Sequence, residues 1–203
     1  MTNSRSTRFD AVISFCGLLP VAGGLSAIEP SSAASRPEVL HFAANDWIPN
    51  NPHLPVLVYR GAVPATGADP AARFEEAFTR NGWPAQWRNG IYAFHHFHPS
   101  THEVLGIAKG SARVVIGGPL PGGRELSVCA GDVVVLPAGT GHCKLEASAD
   151  FLVVGAYPPL QDTSISRKAL SEGQRQAMVN VPFPPSDPLY GVAGPLTTLW
   201  KTA

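Results

Sequence analysis

Residues 92–106, "YAFHHFHPSTHEVLG", place four histidines and a glutamate within nine positions: His95, His96, His98, His102 and Glu103. Only three further histidines occur in the 203 residues, so the crowding asks for a chemical reason. Read as a strand, "IYAFHHFH" puts Tyr92, Phe94, His96 and His98 on one face and His95 and Phe97 on the other. Two imidazoles two residues apart then point the same way, as two metal ligands would. After the "PST" turn the chain returns as "HEVLGIA", in which Glu103, Leu105 and Ile107 share a face and His102 takes the opposite one. The alternation admits Glu103 or His102 as a third ligand and, without a bulge, not both. Two neutral imidazoles and a carboxylate make a mixed nitrogen and oxygen site, suited to iron, manganese, nickel, copper or zinc.

Further along, "AGDVVVLPAGTGHCKLE" reads as an apolar strand, a turn at Pro137 and Gly139, and His142 entering another strand, a histidine otherwise hard to motivate. From Trp87 to Tyr157, short runs rich in Val, Ile, Leu and Phe are separated by turn chemistry, which suits consecutive antiparallel strands of a sandwich or barrel. Upstream, an apolar strand is expected from about Leu54 to Arg60. "DPAARFEEAFTRNGW" then predicts a short helix, with Asp69 as cap, Pro70 in the first turn and Gly82 as the stop. Downstream, "SISRKALSEGQRQAMVNV" predicts a second helix from roughly Ser164 to Met178. The proline- and glycine-rich tail that follows carries Leu189, Tyr190, Leu196 and Trp200, which suggests packing on the barrel or on a neighbouring subunit.

These two histidine-bearing segments resemble the paired motifs of the cupin superfamily. The first motif runs glycine, five residues, His-x-His, three or four residues, glutamate, six residues, glycine; Gly90, His96, His98, Glu103 and Gly110 match it. The second runs glycine, five residues, Pro-x-Gly, two residues, histidine, three residues, asparagine. Gly131, Pro137, Gly139 and His142 match it, with Glu146 where asparagine is usual. Two such matches in order make a strong motif hypothesis. From about Val39 onward, "IPNNPHLPVLVYRGA", "HFHPSTHEVLG", "LPAGTGH" and "DPLYGVAGPLTTLW" look similar to the YjlB-like single-domain cupins.

The resemblance implies an all-β fold: a double-stranded β-helix, a cupin barrel of jelly-roll type, with a short helix before the barrel and a helix plus proline-rich tail after it. It implies a single cupin domain over residues 38–203, with the first motif at 90–110 and the second at 131–146. His96, His98, Glu103 and His142 would converge on one divalent transition metal in the barrel mouth, which selects Glu103 over His102. His95 and His102, on the opposite face, are expected to be surface or interface residues.

Tyr92 and Phe94 share the face of the first two ligands and Lys144 shares that of His142, so all three are candidates to line the pocket and bind substrate. An inward lysine is costly unless it meets an anion or carboxylate. Lys144 and Tyr92 are therefore candidates to orient or protonate a substrate. Three imidazoles and a carboxylate leave open positions on a six-coordinate ion. The expected function is a metal-dependent enzyme, oxygenase-like or isomerase-like, acting on a small polar organic molecule. A carboxylate-bearing substrate would account for Lys144 and leans the chemistry slightly towards an oxidoreductase. The competing class is a non-catalytic module that binds a small molecule or a metal, since fold alone does not choose.

Composition bounds the rest. Fifteen basic residues balance fifteen acidic ones, so no long-range field draws a nucleic acid or an anionic membrane. Cys16, Cys129 and Cys143 match no zinc or redox spacing and read as small hydrophobes, with a Cys129–Cys143 bridge conceivable only in an exported chain. Residues 1–37 form an extension or a signal-like segment: Arg5 and Arg8 precede an apolar run that Asp10, Pro20 and Gly23-Gly24 interrupt. The run is too short and broken to span a membrane, and the cytoplasm is expected over export. A homodimer, paired through edge strands or terminal segments, completes the expectation.

Overall fold

The apolar runs between the turn signals form antiparallel strands in a computed structural model that describes residues 36–201. Residues 1–35, on which most of the signal-like reading and Cys16 fall, lie outside the described residues. The strands are β1 (Glu38–Leu40), β2 (Val56–Tyr59), β3 (Ala85–Asn89), β4 (Glu103–Lys109), β5 (Ser111–Ile116), β6 (Arg124–Cys129), β7 (Val133–Leu136), β8 (His142–Ala147) and β9 (Leu152–Ala156). They build a six-stranded sheet of order β1-β2-β7-β4-β9-β3 and a three-stranded sheet of order β6-β5-β8. The insertion of β7 between β2 and β4 is the crossover pattern of a jelly roll.

The larger sheet is buried on both faces, which is why β2 and β7 read as continuous apolar runs rather than alternating ones. Its inner face packs Val56, Val58, Leu105, Ile107, Val134 and Val153 against Val114, Ile116 and Leu126 of the smaller sheet. Its outer face packs Leu57, Val104, Val135 and Val154 under Phe74, Phe78, Leu196 and Trp200. β4 thus sends alternate side chains into two cores, and Glu103 falls on the inner set as the pleat requires. At Gly106 a Cβ would run into the Phe74 ring, so glycine lets the helix sit close on the strand.

That helix, α1 (Pro70–Arg80), buries Phe74 and Phe78 one turn apart. Truncating either would cost about 3–5 kcal/mol. Asp69 precedes it without capping it; its carboxylate instead takes Arg88 Nη1 at 2.9 and 3.0 Å, tying the helix start to β3. The second helix is shorter than the sequence suggests. α2 spans Glu172–Val179, because Ser171 and Gln174 form a capping box while Ser166 exchanges backbone hydrogen bonds with Phe97. The tail packs on its own sheet and ends in α3 (Pro195–Leu199), with Trp200 Nε1 donating to Pro55 O at 2.9 Å.

Cys129 lies opposite Ser111 on one side of β5, and Cys143 lies opposite Val115 on the other side. The two thiols are therefore not bridged to one another. Cys143 is buried, as expected of a small hydrophobe, whereas Cys129 is half-buried. Among the described residues no helix is long and apolar enough to cross a membrane.

Candidate metal centre

Residues 91–98 do not form the regular strand that their alternation predicts. Backbone pairing there is shared between two neighbours. His96 exchanges hydrogen bonds with His142 at 3.2 and 2.9 Å and Tyr92 O accepts from Lys144 N at 2.9 Å, while Phe97 turns to Ser166 on the other side. The alternation survives at the positions that matter. Phe97 is fully buried among Ile48, Ala138, Leu170 and Met178, and His96 and His98 face the other way, toward β4 and β8.

The turn that delivers His142 is held from three directions. Gly139, at φ 87°, donates its N–H to His98 O at 2.8 Å. A side chain there would be strained and would strike Met178. Asn51 Nδ2 donates to Ala138 O at 3.2 Å, Asn50 Oδ1 accepts from Gly141 N at 3.1 Å, and His102 Nδ1 accepts from Ala138 N at 3.1 Å. The segment ahead of β2 thus braces the loop that aims a histidine.

Each of the three inward imidazoles keeps its Nδ1 against a carbonyl: His96 on Phe94 O at 3.1 Å, His98 on Thr163 O at 2.8 Å and His142 on Thr140 O at 3.2 Å. A carbonyl only accepts, so each proton sits on Nδ1 and each Nε2 carries a bare lone pair. Ligand atoms of His96, His98 and His142, all buried, lie within 4.8 Å of one another. Glu103 closes the group, with Oε1 3.4 Å from His98 Nε2 and Oε2 3.3 Å from His142 Nε2. Tyr157 O–H donates to Glu103 Oε1 at 2.7 Å and in turn accepts from Trp87 Nε1 at 2.8 Å, whereas buried Oε2 has no donor.

Buried lone pairs facing a carboxylate repel one another unless a cation lies among them. The donor set, three imidazoles with carbonyl-fixed tautomers and one carboxylate oriented by a tyrosine, fits a divalent transition metal. Without a metal, the group leans towards holding a proton in the cation's place. Burial, then the nearby His142, lowers the His96 pKa to about 3. Burial also opposes charge on His98, but Glu103 together with the backbone of Thr163 and Ser164 outweighs it and raises that pKa. Burial pushes the Glu103 carboxyl up, yet His98 and His142 together hold it well below the usual carboxylate range.

The cluster lines a cavity of about 450 Å³ together with Tyr92, Lys144, Gln86 and Tyr157. Lys144 and Tyr92 are where the alternation puts them. Phe94 does not line this cavity; it stacks on Tyr92 with centroids 4.7 Å apart, under the Arg167 guanidinium at 4.2 Å. His102 is on the face opposite Glu103 as expected, but it is no surface residue. It is 1 % exposed, packed on Trp200 at 4.9 Å between ring centroids, because the tail covers that face. His95 is half-buried. Glu146, which replaces the usual asparagine, pairs with Arg113 at 2.8 Å away from the cavity.

Tyr157 and Trp87 are the polar partners that the sequence reading passed over. Strand alternation could have found the first, since Val153 faces the inner core and Gly155 and Tyr157 follow it at even spacing.

Residues 88–163 match the Cupin family, a span that includes both histidine-bearing segments. The chain is 36% identical over 161 residues to the uncharacterized protein YjlB of Bacillus subtilis (strain 168), covering 78% of this chain and 93% of that one. Among solved structures, it is similar to a mutant of oxalate decarboxylase OxdC from Bacillus subtilis at 20% identity and TM-score 0.34. That likeness covers 55% of this chain and 27% of the other, so the chain spans about a quarter of the decarboxylase's length. A duf861 family protein from Thermotoga maritima is similar at 20% identity and TM-score 0.28, covering 43% of this chain and 92% of the other. Matched across both motifs, and along nearly the whole of YjlB, the chain belongs to the cupin family.

Proposed function

We propose that the chain is a metal-dependent enzyme, oxygenase-like or isomerase-like, that acts on a small polar organic molecule. In this reading His96, His98, Glu103 and His142 hold one divalent transition metal. The observation that carries it is the fixing of three imidazole tautomers, each Nδ1 against a backbone carbonyl, around a carboxylate with one unpartnered oxygen. When bound, the ion supplies a Lewis acid or a redox centre. The chain's own residues do the remaining work. Tyr157 holds one oxygen of Glu103, Lys144 orients or protonates the substrate, and Tyr92, backed by Phe94, walls the cavity. A homodimer belongs to the same reading, supported by β6 standing at an edge of the smaller sheet.

Elemental analysis of protein purified without chelator or affinity tag tests the proposal, beside a variant carrying His96→Ala and His142→Ala. The expected result is about one equivalent of metal in the parent, as for a single four-ligand site, and none in the variant. No uptake by the parent, even after incubation with each ion in turn, would remove the metal centre and the enzyme with it.

A further inference from the structure

We infer that the cavity binds a small carboxylate through Lys144, an assignment that rests on the metal reading above and narrows its substrate to an organic anion. Lys144 leaves β8 on the same side as His142 and lines the cavity, where its ammonium makes no hydrogen bond or ion pair among the described residues. Its Nζ lies over Gly90, 3.9 Å from where a Cβ would stand. Nearby acids are engaged elsewhere. Glu103 faces the histidines and Tyr157, Glu146 takes Arg113, and Asp162 accepts from the backbone and hydroxyl of Ser164.

Charge then decides the class of ligand. Glu103 and Lys144 are the formally charged residues that line the cavity, and with neutral imidazoles their −1 and +1 cancel. A divalent ion makes the enclosed space two units positive. A neutral ligand leaves that excess standing in a partly desolvated site, where charge interactions are strong, whereas a carboxylate reduces it. The uncharged polar ends nearby, the Gln86 amide and the Tyr92 hydroxyl, also lack hydrogen bonds among the described residues and are available to further oxygens of the same molecule. A volume of about 450 Å³ suits a small organic acid rather than a polymer.

The test uses the full chain saturated with Zn²⁺, a redox-silent ion, and calorimetric titration with glycolate, pyruvate and succinate, each against its uncharged amide. At least one carboxylate is expected to bind at least about tenfold more tightly than its amide, the size of one charge-assisted hydrogen bond. Lys144→Met is expected to weaken that carboxylate at least about tenfold, with Zn²⁺ affinity unchanged, and Lys144→Arg to retain it. Carboxylates and amides binding alike, no carboxylate binding, or Lys144→Met binding as the parent does would each overturn the anion site while leaving the metal reading intact. Failure of the parent to take up Zn²⁺ would remove the metal reading and this site together.

Discussion

Two buried carboxylates lie on opposite faces of the larger sheet, and they are treated differently. On the outer face Asp187, fully buried, accepts from the Tyr59 hydroxyl and Leu196 N on one oxygen and from Leu189 N and Tyr190 N on the other. On the inner face Glu103, 3 % exposed, has Tyr157 on one oxygen and only the Nε2 edge of His142 near the other. Asp187 is a finished knot: the chain supplies donors to both oxygens, and the tail is pinned to the sheet. Glu103 is left open in a way that costs stability unless something positive arrives. Burial does not separate a structural carboxylate from a functional one. Completeness of the surrounding donors does.

The contrast predicts unequal responses to deletion. Asp187→Ala strands a buried hydroxyl and three backbone N–H groups, and urea denaturation of the metal-free protein is expected to show a loss of about 3–5 kcal/mol. Glu103→Ala leaves one buried hydroxyl, that of Tyr157, without its acceptor, so the same measurement is expected to show a smaller cost of about 1–2 kcal/mol. Saturating metal should reverse the order of importance, since only the parent and Asp187→Ala gain stability from it. Equal costs in the metal-free protein would mean that Glu103 is a structural knot as well.

A neighbour of Glu103 sharpens the comparison through pH. His102 precedes it in the chain but belongs to the outer layer, where burial lowers its pKa from 6.5 to about 4. The unfolded chain therefore binds the proton more readily over that interval, and stability is full above pH 6.5 and lost as pH falls towards 4. His102→Leu gives up the bond from Ala138 N at every pH but escapes this penalty. Between neutral pH and pH 4.5 the metal-free parent is expected to lose about 2 kcal/mol more than the variant. Parallel stability profiles would show that His102 titrates as an exposed imidazole does.

What could be read from the sequence follows the range of the physics involved. His96 and His98 share a side because two-residue alternation is a local property, and it held even where regular strand pairing did not. The same rule sets Glu103 and His102 on opposite faces without saying which faces inward; the resemblance to the first cupin motif selects Glu103, and Glu103 falls on the inner side. The helix start was misread because "SISRKALSEGQ" offers serines at several positions, and only tertiary pairing of Ser166 with Phe97 excludes the earlier ones. Asp187 lies in "PSDPLYG", whose Leu189 and Tyr190 suggest packing, but nothing local announces that the carboxylate itself is buried beneath Tyr59. Asn50 and Asn51 likewise carry no local sign that they brace a turn some ninety positions away, at separations of 91 and 87.

Tyr157 is the sharpest instance, 54 residues from the carboxylate it holds, at the end of a strand that looks like plain core. Its hydroxyl accepts from Trp87 and donates to Glu103 Oε1, which is what leaves Oε2 as the open oxygen of the site. Tyr157→Phe keeps the ring and deletes that constraint. Metal affinity is expected to fall about tenfold, at the lower end of what partners of ligand residues contribute. Competition against a chelator of known affinity reads it directly. The metal-free fold should lose only about 1–2 kcal/mol, the cost of leaving Glu103 Oε1 and the half-buried Trp87 Nε1 without their shared partner. If affinity is unchanged while metal-free stability drops, then Tyr157 belongs with Tyr59 as a structural hydroxyl, and the line between the two buried carboxylates lies at Oε2 of Glu103 alone.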